Sequence, residues 1–252
     1  MKVVIVGGTG LIGTKVRERL EAAGHAVVVA TPSTGVNAAT GEGLAEAVSG
    51  ADVVVDVSNA PIWEPQELID FFATSTGNQL RAEQEAGVAH HIAVSIVGAE
   101  RAPDNFYMAA KLVQEQLIQD GAVPWTIVKA TQFFEFLRGI ADQATSDGQV
   151  RVTEATLQPI AADDVADRVV EAVIGGPAGV VEIAGPEAVG LADLVRTVLE
   201  ADGDPRTVVA DHAAGYFGSV IEDDTLVPTP GVDAWIAEQN LATWLASQKV
   251  SS

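Results

Sequence analysis

The sequence predicts an α/β fold built on a doubly wound parallel sheet, and three observations carry that prediction. Short apolar runs alternate with stretches of helical periodicity through most of the 252 residues. A glycine-rich turn, Gly7-Gly8-Thr9-Gly10-Leu11-Ile12-Gly13, stands between the first run and the first helix. The early runs are apolar throughout rather than alternating, which suits strands covered on both faces by crossover helices.

Taken in order, Lys2–Val6 is the first strand, and Thr14–Ala23 carries apolar residues at helical spacing behind it. Ala26–Ala30 is the second strand and Gly43–Val48 a short helix. Asp52–Val57 is the third strand, followed by a long helix over roughly Pro65–Ala86. Ile92–Val97 and Trp125–Ala130 are later strands, separated by a helix over Asp104–Gln119. After Lys129 the rhythm changes. Phe133–Thr145 is helical, Val150–Thr153 a strand, and Asp163–Ile174 a helix that Asp163 or Asp164 caps or enters in its first turn. Val180–Ala184 is again a strand, Gly185-Pro186 a turn, and Leu191–Ala201 a helix. Asp211–Val232 is rich in Asp, Pro and Gly, and a last helix carries Trp235, Leu241, Trp244 and Leu245.

Composition narrows the function classes. A 48 % hydrophobic content supplies a core for one large domain. No apolar run reaches the length of a membrane span, and no charged segment with a small-residue cleavage site opens the chain. Zero cysteines exclude disulfides, a thiolate nucleophile and cysteine metal sites. The net charge of −21, from 14 basic and 35 acidic residues, repels nucleic acid and anionic membranes. A cytoplasmic protein with neither a nucleic-acid nor a membrane partner is expected. His90-His91 lacks a partner at ligand spacing and is read as a solvated pair at a strand entry, so no metal site is expected.

The glycine turn makes the fold Rossmann-type. Gly7 permits the tight turn, Gly10 lets backbone approach a pyrophosphate, and Gly13 lets the helix pack close on the strand. The backbone around Gly7, Thr9, Gly10, Leu11, Ile12 and Gly13 would hold the phosphates at the helix N-terminus. No linker or repeat divides the chain. Residues 1–252 are therefore expected to form a single dinucleotide-binding domain, with roughly 133–160 and 185–252 contributing a small C-terminal lobe that covers the substrate. Phe133, Phe134 and Tyr216 are candidates for lining its pocket, with packing as their alternative.

An NAD-preferring site places a carboxylate after the second strand, roughly 20 residues past the glycines. Here Thr31-Pro32-Ser33-Thr34-Gly35 follows instead, and the first carboxylate is Glu42. Hydroxyls of Thr31 and Ser33 would accept a 2′-phosphate, which favours NADP(H) over NAD(H). Lys15 is a further candidate there, or else a solvated lysine.

Tyr107-x-x-x-Lys111 places a phenol and an ammonium on one helical face. A tyrosine titrates near ~10, and a neighbouring ammonium favours its phenolate. The glycine turn, Ser95, this pair and the Thr126–Phe133 segment resemble the atypical short-chain dehydrogenase/reductases, most closely their NmrA-like NAD(P)-binding branch. The resemblance runs from Lys2 to about Pro186. It implies Ser95, Tyr107 and Lys111 as catalytic residues. Ser95 would hydrogen-bond a substrate carbonyl, Tyr107 would transfer the proton, and Lys111 would tune Tyr107 and bind the nicotinamide ribose. Ser58, Asn59, Gln132 and Phe133 stand where the family meets its cofactor. The activity it implies is NADPH-dependent reduction of a small ketone or aldehyde. Quinone reduction and a noncatalytic NAD(P)-sensing regulator are the alternatives, and a homodimer is left open.

Overall fold

The computed structural model describes residues 1–61 and 64–250. In chain order the elements begin with β1 (Lys2–Val6), α1 (Leu11–Ala22), β2 (Ala26–Ala30), α2 (Leu44–Val48), β3 (Val53–Asp56), α3 (Pro65–Ala86), β4 (His90–Ile96), α4 (Phe106–Asp120) and β5 (Trp125–Ala130). There follow α5 (Leu137–Gln143), β6 (Thr145–Ser146), β7 (Gln149–Val152), β8 (Thr156–Leu157), α6 (Ala162–Gly175), β9 (Gly179–Ala184), β10 (Val189–Gly190), α7 (Leu191–Asp202), β11 (Thr207–Ala210), β12 (Trp235–Ile236) and α8 (Leu241–Val250).

The seven-stranded sheet has the order β12-β9-β5-β4-β3-β1-β2. β1 pairs in parallel with β2 and β3, β3 with β4, and β9 with β12. Val3, Val4, Ile5, Val53, Val54 and Val55 are all buried. Since successive strand residues point to opposite faces, both faces of the sheet are covered. Val4, Val6 and Val54 pack with Leu44, Ala47 and Val48 of α2. Strand order reverses direction between β1 and β3, and such a switch point opens a crevice at the carboxyl ends of the strands.

The chain divides into two compact units. The first comprises Met1–Ser95, Phe106–Lys129 and Val165–Val181; the second comprises Ile96–Asn105, Ala130–Asp164 and Glu182–Ser252. Within the second, β7 pairs in parallel with β11 and antiparallel with β6, and β8 pairs antiparallel with β10. Asp147 and Gly148, both at positive φ, form the two-residue turn joining β6 to β7. Arg101 donates to the carbonyls of Thr225 and Val227 and to the Thr229 hydroxyl, and Glu182 accepts from Thr229 as well. Residues 225–229 are thereby tied down despite having no regular structure.

Three expectations change. Phe133–Thr145 is not one helix but a 3₁₀ turn over Phe134–Phe136 running into α5. Trp235 lies in β12 and not in the terminal helix. His90 and His91 are buried rather than solvated, because β4 lies inside the sheet between β3 and β5. His90 Nε2 pairs with the Thr126 hydroxyl at 2.9 Å, and His91 Nδ1 meets the Glu83 carboxylate at 2.9 Å.

Candidate active site

The glycine turn builds the first wall of the site. Gly7 takes φ +81°, a left-handed conformation that glycine adopts without a steric penalty, and its N–H donates to Ala30 O at 3.1 Å. A Cβ there would stand 2.7 Å from the Cα and N of Ser58, so the turn lies directly against the residues that follow β3. A Cβ on Gly13 would meet Gly7 O at 2.4 Å, which fixes how closely α1 seats on the turn. Gly10 caps α1 with extended backbone and no side-chain hydrogen bond. The N–H groups of Leu11, Ile12 and Gly13 open the helix with no preceding helical carbonyl to bond. No acidic residue occupies that first turn, and Thr9, Gly10 and Leu11 are exposed. These residues fit the pyrophosphate of a dinucleotide.

After β2, Thr31 and Ser33 share a hydroxyl hydrogen bond of 2.9 Å, and Thr31 N–H donates to Thr34 Oγ1 at 3.0 Å. Thr31 is buried and Ser33 exposed, so the two predicted contacts differ in reach.

Past β3 the site is organised by a group that the sequence reading did not single out. Asp56 is 1 % exposed. Its Oδ1 accepts from Ser58 N–H at 2.9 Å and the Ser58 hydroxyl at 2.6 Å. Its Oδ2 accepts from the amides of Gln79 and Gln114, each at 2.9 Å. Asn59 Oδ1 receives the Tyr107 hydroxyl at 3.2 Å. Gly7, Ser58, Asn59 and Tyr107 thus form one continuous edge. The Tyr107 ring stands edge-on to Phe72 at 6.4 Å.

Lys111 is 4 % exposed. Its ammonium donates to Val94 O at 2.9 Å and to Gln114 Oε1, and lies 4.7 Å from the centre of the Phe72 ring. Burial lowers its pKa to about 8, against the raising influence of Asp56 and Glu115. Burial pushes the Tyr107 phenol up to about 12, with the Asn59 hydrogen bond pulling the other way. The lowered phenol pKa expected from the spacing of Tyr107 and Lys111 is therefore not what this geometry produces. The reason is that the Lys111 hydrogen bonds run to Val94 and Gln114, while the half-buried phenol bonds Asn59.

Ser95 is 3 % exposed and donates its hydroxyl proton to Glu115 Oε1 at 2.5 Å. Glu115 Oε2 in turn meets Lys129 Nζ at 3.1 Å. The Ser95 proton is thus directed to the Glu115–Lys129 pair. Gln114 and Glu115 follow Lys111 by three and four residues, a spacing on one helical face that would have flagged both.

In the second unit, Gln132 N and O belong to the loop after β5, where Gln132 O accepts from Ile160 N–H at 2.8 Å. Its side-chain Oε1 is buried without a hydrogen-bond partner among the described residues. The Phe133 ring stacks on Phe136 at 5.3 Å. Phe134 packs on Trp244 at 5.6 Å and Tyr216 on Phe217 at 4.8 Å within this unit. A cavity of about 600 Å³ in the same unit is lined by other residues, among them Thr156, Gln158, Val227 and Asp233. Glu135 accepts from Ala162 N–H at 3.1 Å, at the start of α6.

Among the described residues no helix is long and apolar enough to cross a membrane. The profile of a family described as NAD(P)H-binding matches residues 7–174. The chain is 29 % identical over 205 residues to the (4-alkanoyl-5-oxo-2,5-dihydrofuran-3-yl)methyl phosphate reductase of Streptomyces griseus, covering 74 % of this chain and 69 % of that protein. It is 27 % identical over 153 residues to the photosystem II assembly factor Ycf39 of Synechocystis, covering 55 % of this chain and about half, 47 %, of that protein. In fold it is similar to the UDP-glucose 4-epimerase of Thermotoga maritima, with a TM-score of 0.76 at 15 % identity over 100 % of both chains. A short-chain dehydrogenase/reductase superfamily protein of Agrobacterium tumefaciens with bound NAD gives 0.73 at 17 % identity, over 100 % of this chain and 97 % of that one. Glycine turn, sheet and family profile agree: the chain belongs to the NAD(P)H-binding family, and its fold is that of the short-chain dehydrogenase/reductase structures.

Proposed function

We propose that this oxidoreductase reduces the carbonyl group of a small molecule with NADPH, Tyr107 supplying the proton. The observation that carries the reading is the edge from Gly7 through Ser58 and Asn59 to the Tyr107 hydroxyl, which sets a phenol beside the dinucleotide cradle. The dinucleotide supplies the hydride when bound. Tyr107, with its pKa at about 12, holds its proton throughout the neutral range, which suits a donor to a developing alkoxide and not a base. Asn59 holds the hydroxyl through a hydrogen bond, and both Tyr107 and the Lys111 ammonium lie against the Phe72 ring.

The Streptomyces relative is named for a substrate with alkanoyl and oxo groups, which supports a carbonyl-bearing small molecule as the substrate class here. The absence of a carboxylate from Thr31 to Gly35 supports NADPH over NADH. A second reading, a dinucleotide-bound assembly or regulatory protein without turnover, draws on the likeness to Ycf39.

Oxidation of NADPH and NADH against a panel of ketones, aldehydes and quinones separates the two. Turnover with NADPH is expected, falling roughly 10²–10⁴-fold in Tyr107→Phe while dinucleotide affinity stays unchanged. Undiminished turnover in the variant overturns the role of Tyr107. Tight dinucleotide binding with no turnover on any substrate selects the second reading.

A further inference from the structure

Burying a carboxylate is costly unless its lone pairs are taken up, and Asp56 sits at the end of a strand, Val53–Asp56, that is otherwise purely apolar. Its four hydrogen bonds come from uncharged donors on two sides. On one side Ser58 gives both its N–H and its hydroxyl, closing a turn that fixes Ser58 against Gly7 and carries Asn59 to Tyr107. On the other side Gln79 and Gln114 both present their NH₂ groups. A carboxylate only accepts, so Gln114 must turn its nitrogen to Asp56. Its carbonyl oxygen then necessarily faces Lys111, whose ammonium it receives. One buried charge therefore selects the orientation of an amide, and that amide supplies the acceptor for the ammonium.

We propose that Asp56 is the positioning residue of this site, holding the dinucleotide-side turn with one oxygen and the Lys111 ammonium, through Gln114, with the other. The inference rests on the reading of Tyr107 and Lys111 as the reactive pair. The charged and titratable groups around it come from every packed element: Asp56 on β3, His91 on β4, Glu83 on α3, Tyr107 and Glu115 on α4, and Lys129 on β5, which pairs with Glu115. Of these, Asp56 and Glu115 hold the Lys111 pKa up against burial, and only Asp56 also shapes the Ser58 turn.

Asp56→Asn keeps the shape but replaces one acceptor end with a donor. The Gln114 amide then meets a second NH₂ group and loses its reason to face Lys111 with oxygen. Moving the charge along the chain, in Asp56→Asn with Gln114→Glu, sets a carboxylate directly against Lys111 while the new amide oxygen at position 56 still serves Ser58. The readout independent of turnover is the titration of the Lys111 ε-carbon by ¹³C NMR, assigned with Lys111→Arg, together with NADPH binding by fluorescence. The single variant is expected to lower the Lys111 pKa by ~1 unit or more, to weaken NADPH binding, and to shift the alkaline limb of turnover down in pH. The double variant is expected to bring the Lys111 titration back to its wild-type position or above it.

A single variant with unaltered Lys111 titration and NADPH affinity overturns the proposal, whatever Tyr107→Phe does. Shifted Lys111 titration beside unimpaired Tyr107→Phe turnover supports Asp56 while refuting Tyr107 as donor. Should the single variant melt below assay temperature, the folded double variant decides: a Lys111 titration at or above its wild-type position supports the proposal, and one lowered by a unit or more overturns it.

Discussion

A Cβ at Gly13 would stand 2.4 Å from the Gly7 carbonyl oxygen and 2.6 Å from the Gly8 Cα, both backbone atoms with nowhere to go. At Gly10 the nearest atom, Gly7 O, is 3.3 Å away and the position is exposed. Gly13→Ala should therefore cost about 1–3 kcal/mol of stability, read as a lower melting temperature, and remove most NADPH affinity. Gly10→Ala should lower melting less than Gly13→Ala does, since only one backbone atom must yield by a few tenths of an ångström, and should weaken NADPH because its methyl occupies ground that the ligand approaches. Equal melting losses in both variants would contradict this division. The glycine spacing and the Tyr107–Lys111 pair were readable because each is a local pattern. Asp56 was not, since its significance depends on Ser58, Gln79 and Gln114, which only the fold collects. The proton of Ser95 was unreadable for the same reason: its acceptor, Glu115, is 20 residues distant on the next helix.

Where α3 meets β4, Glu83 and His91 form a fully buried pair. Burial alone would lower the His91 pKa, but the Glu83 charge and hydrogen bond, with Asp56 behind them, raise it above 6.5. A raised folded-state pKa contributes stability that is complete below the unfolded value of 6.5 and is lost as pH rises through the folded value. His90 works oppositely. Burial, and then the neighbouring His91, lower its pKa to about 4, so its contribution is present above 6.5 and is lost as pH falls toward 4. Glu83→Gln should cost about 3–5 kcal/mol near pH 6, as expected for a broken buried pair. The penalty should shrink once pH passes the folded pKa of His91, and melting curves from pH 5.5 to 9 check it; a constant penalty would refute the pairing.

At this scale the long elements were legible from pattern: α3 over Pro65–Ala86, β2 and β5 have the bounds that their apolar runs suggest. Two-residue strands such as β6 and β12 carry no periodicity and escaped notice. The Asp147-Gly148 dipeptide was the one signal for the β6–β7 hairpin. The histidines were misjudged because a polar pair at a strand entry suggests water, while an interior strand covers both of its faces.

For the whole molecule, a charge of −21 with only five lysines makes the surface self-repelling. The second feature at this scale is how the chain is threaded. Between Ser95 and Glu182 it passes from one unit to the other five times. The first unit is finished only by Val165–Val181, whose Val165, Val169 and Val173 are buried. A chain ending at Asp164 should accordingly show no cooperative melting and should bind a dye for exposed apolar surface; a sharp transition would contradict that.

Biosynthesis feels this threading. At ~5–20 residues per second, a ribosome releases the glycine turn many seconds before the segment that completes its unit. Through that interval the nascent sheet lacks its later strands, and its apolar faces stand open to chaperones or to neighbouring chains. The same threading limits inheritance: no single crossover in the gene separates one unit from the other, so a reading head for the dinucleotide cannot be exchanged without carrying pieces of its companion.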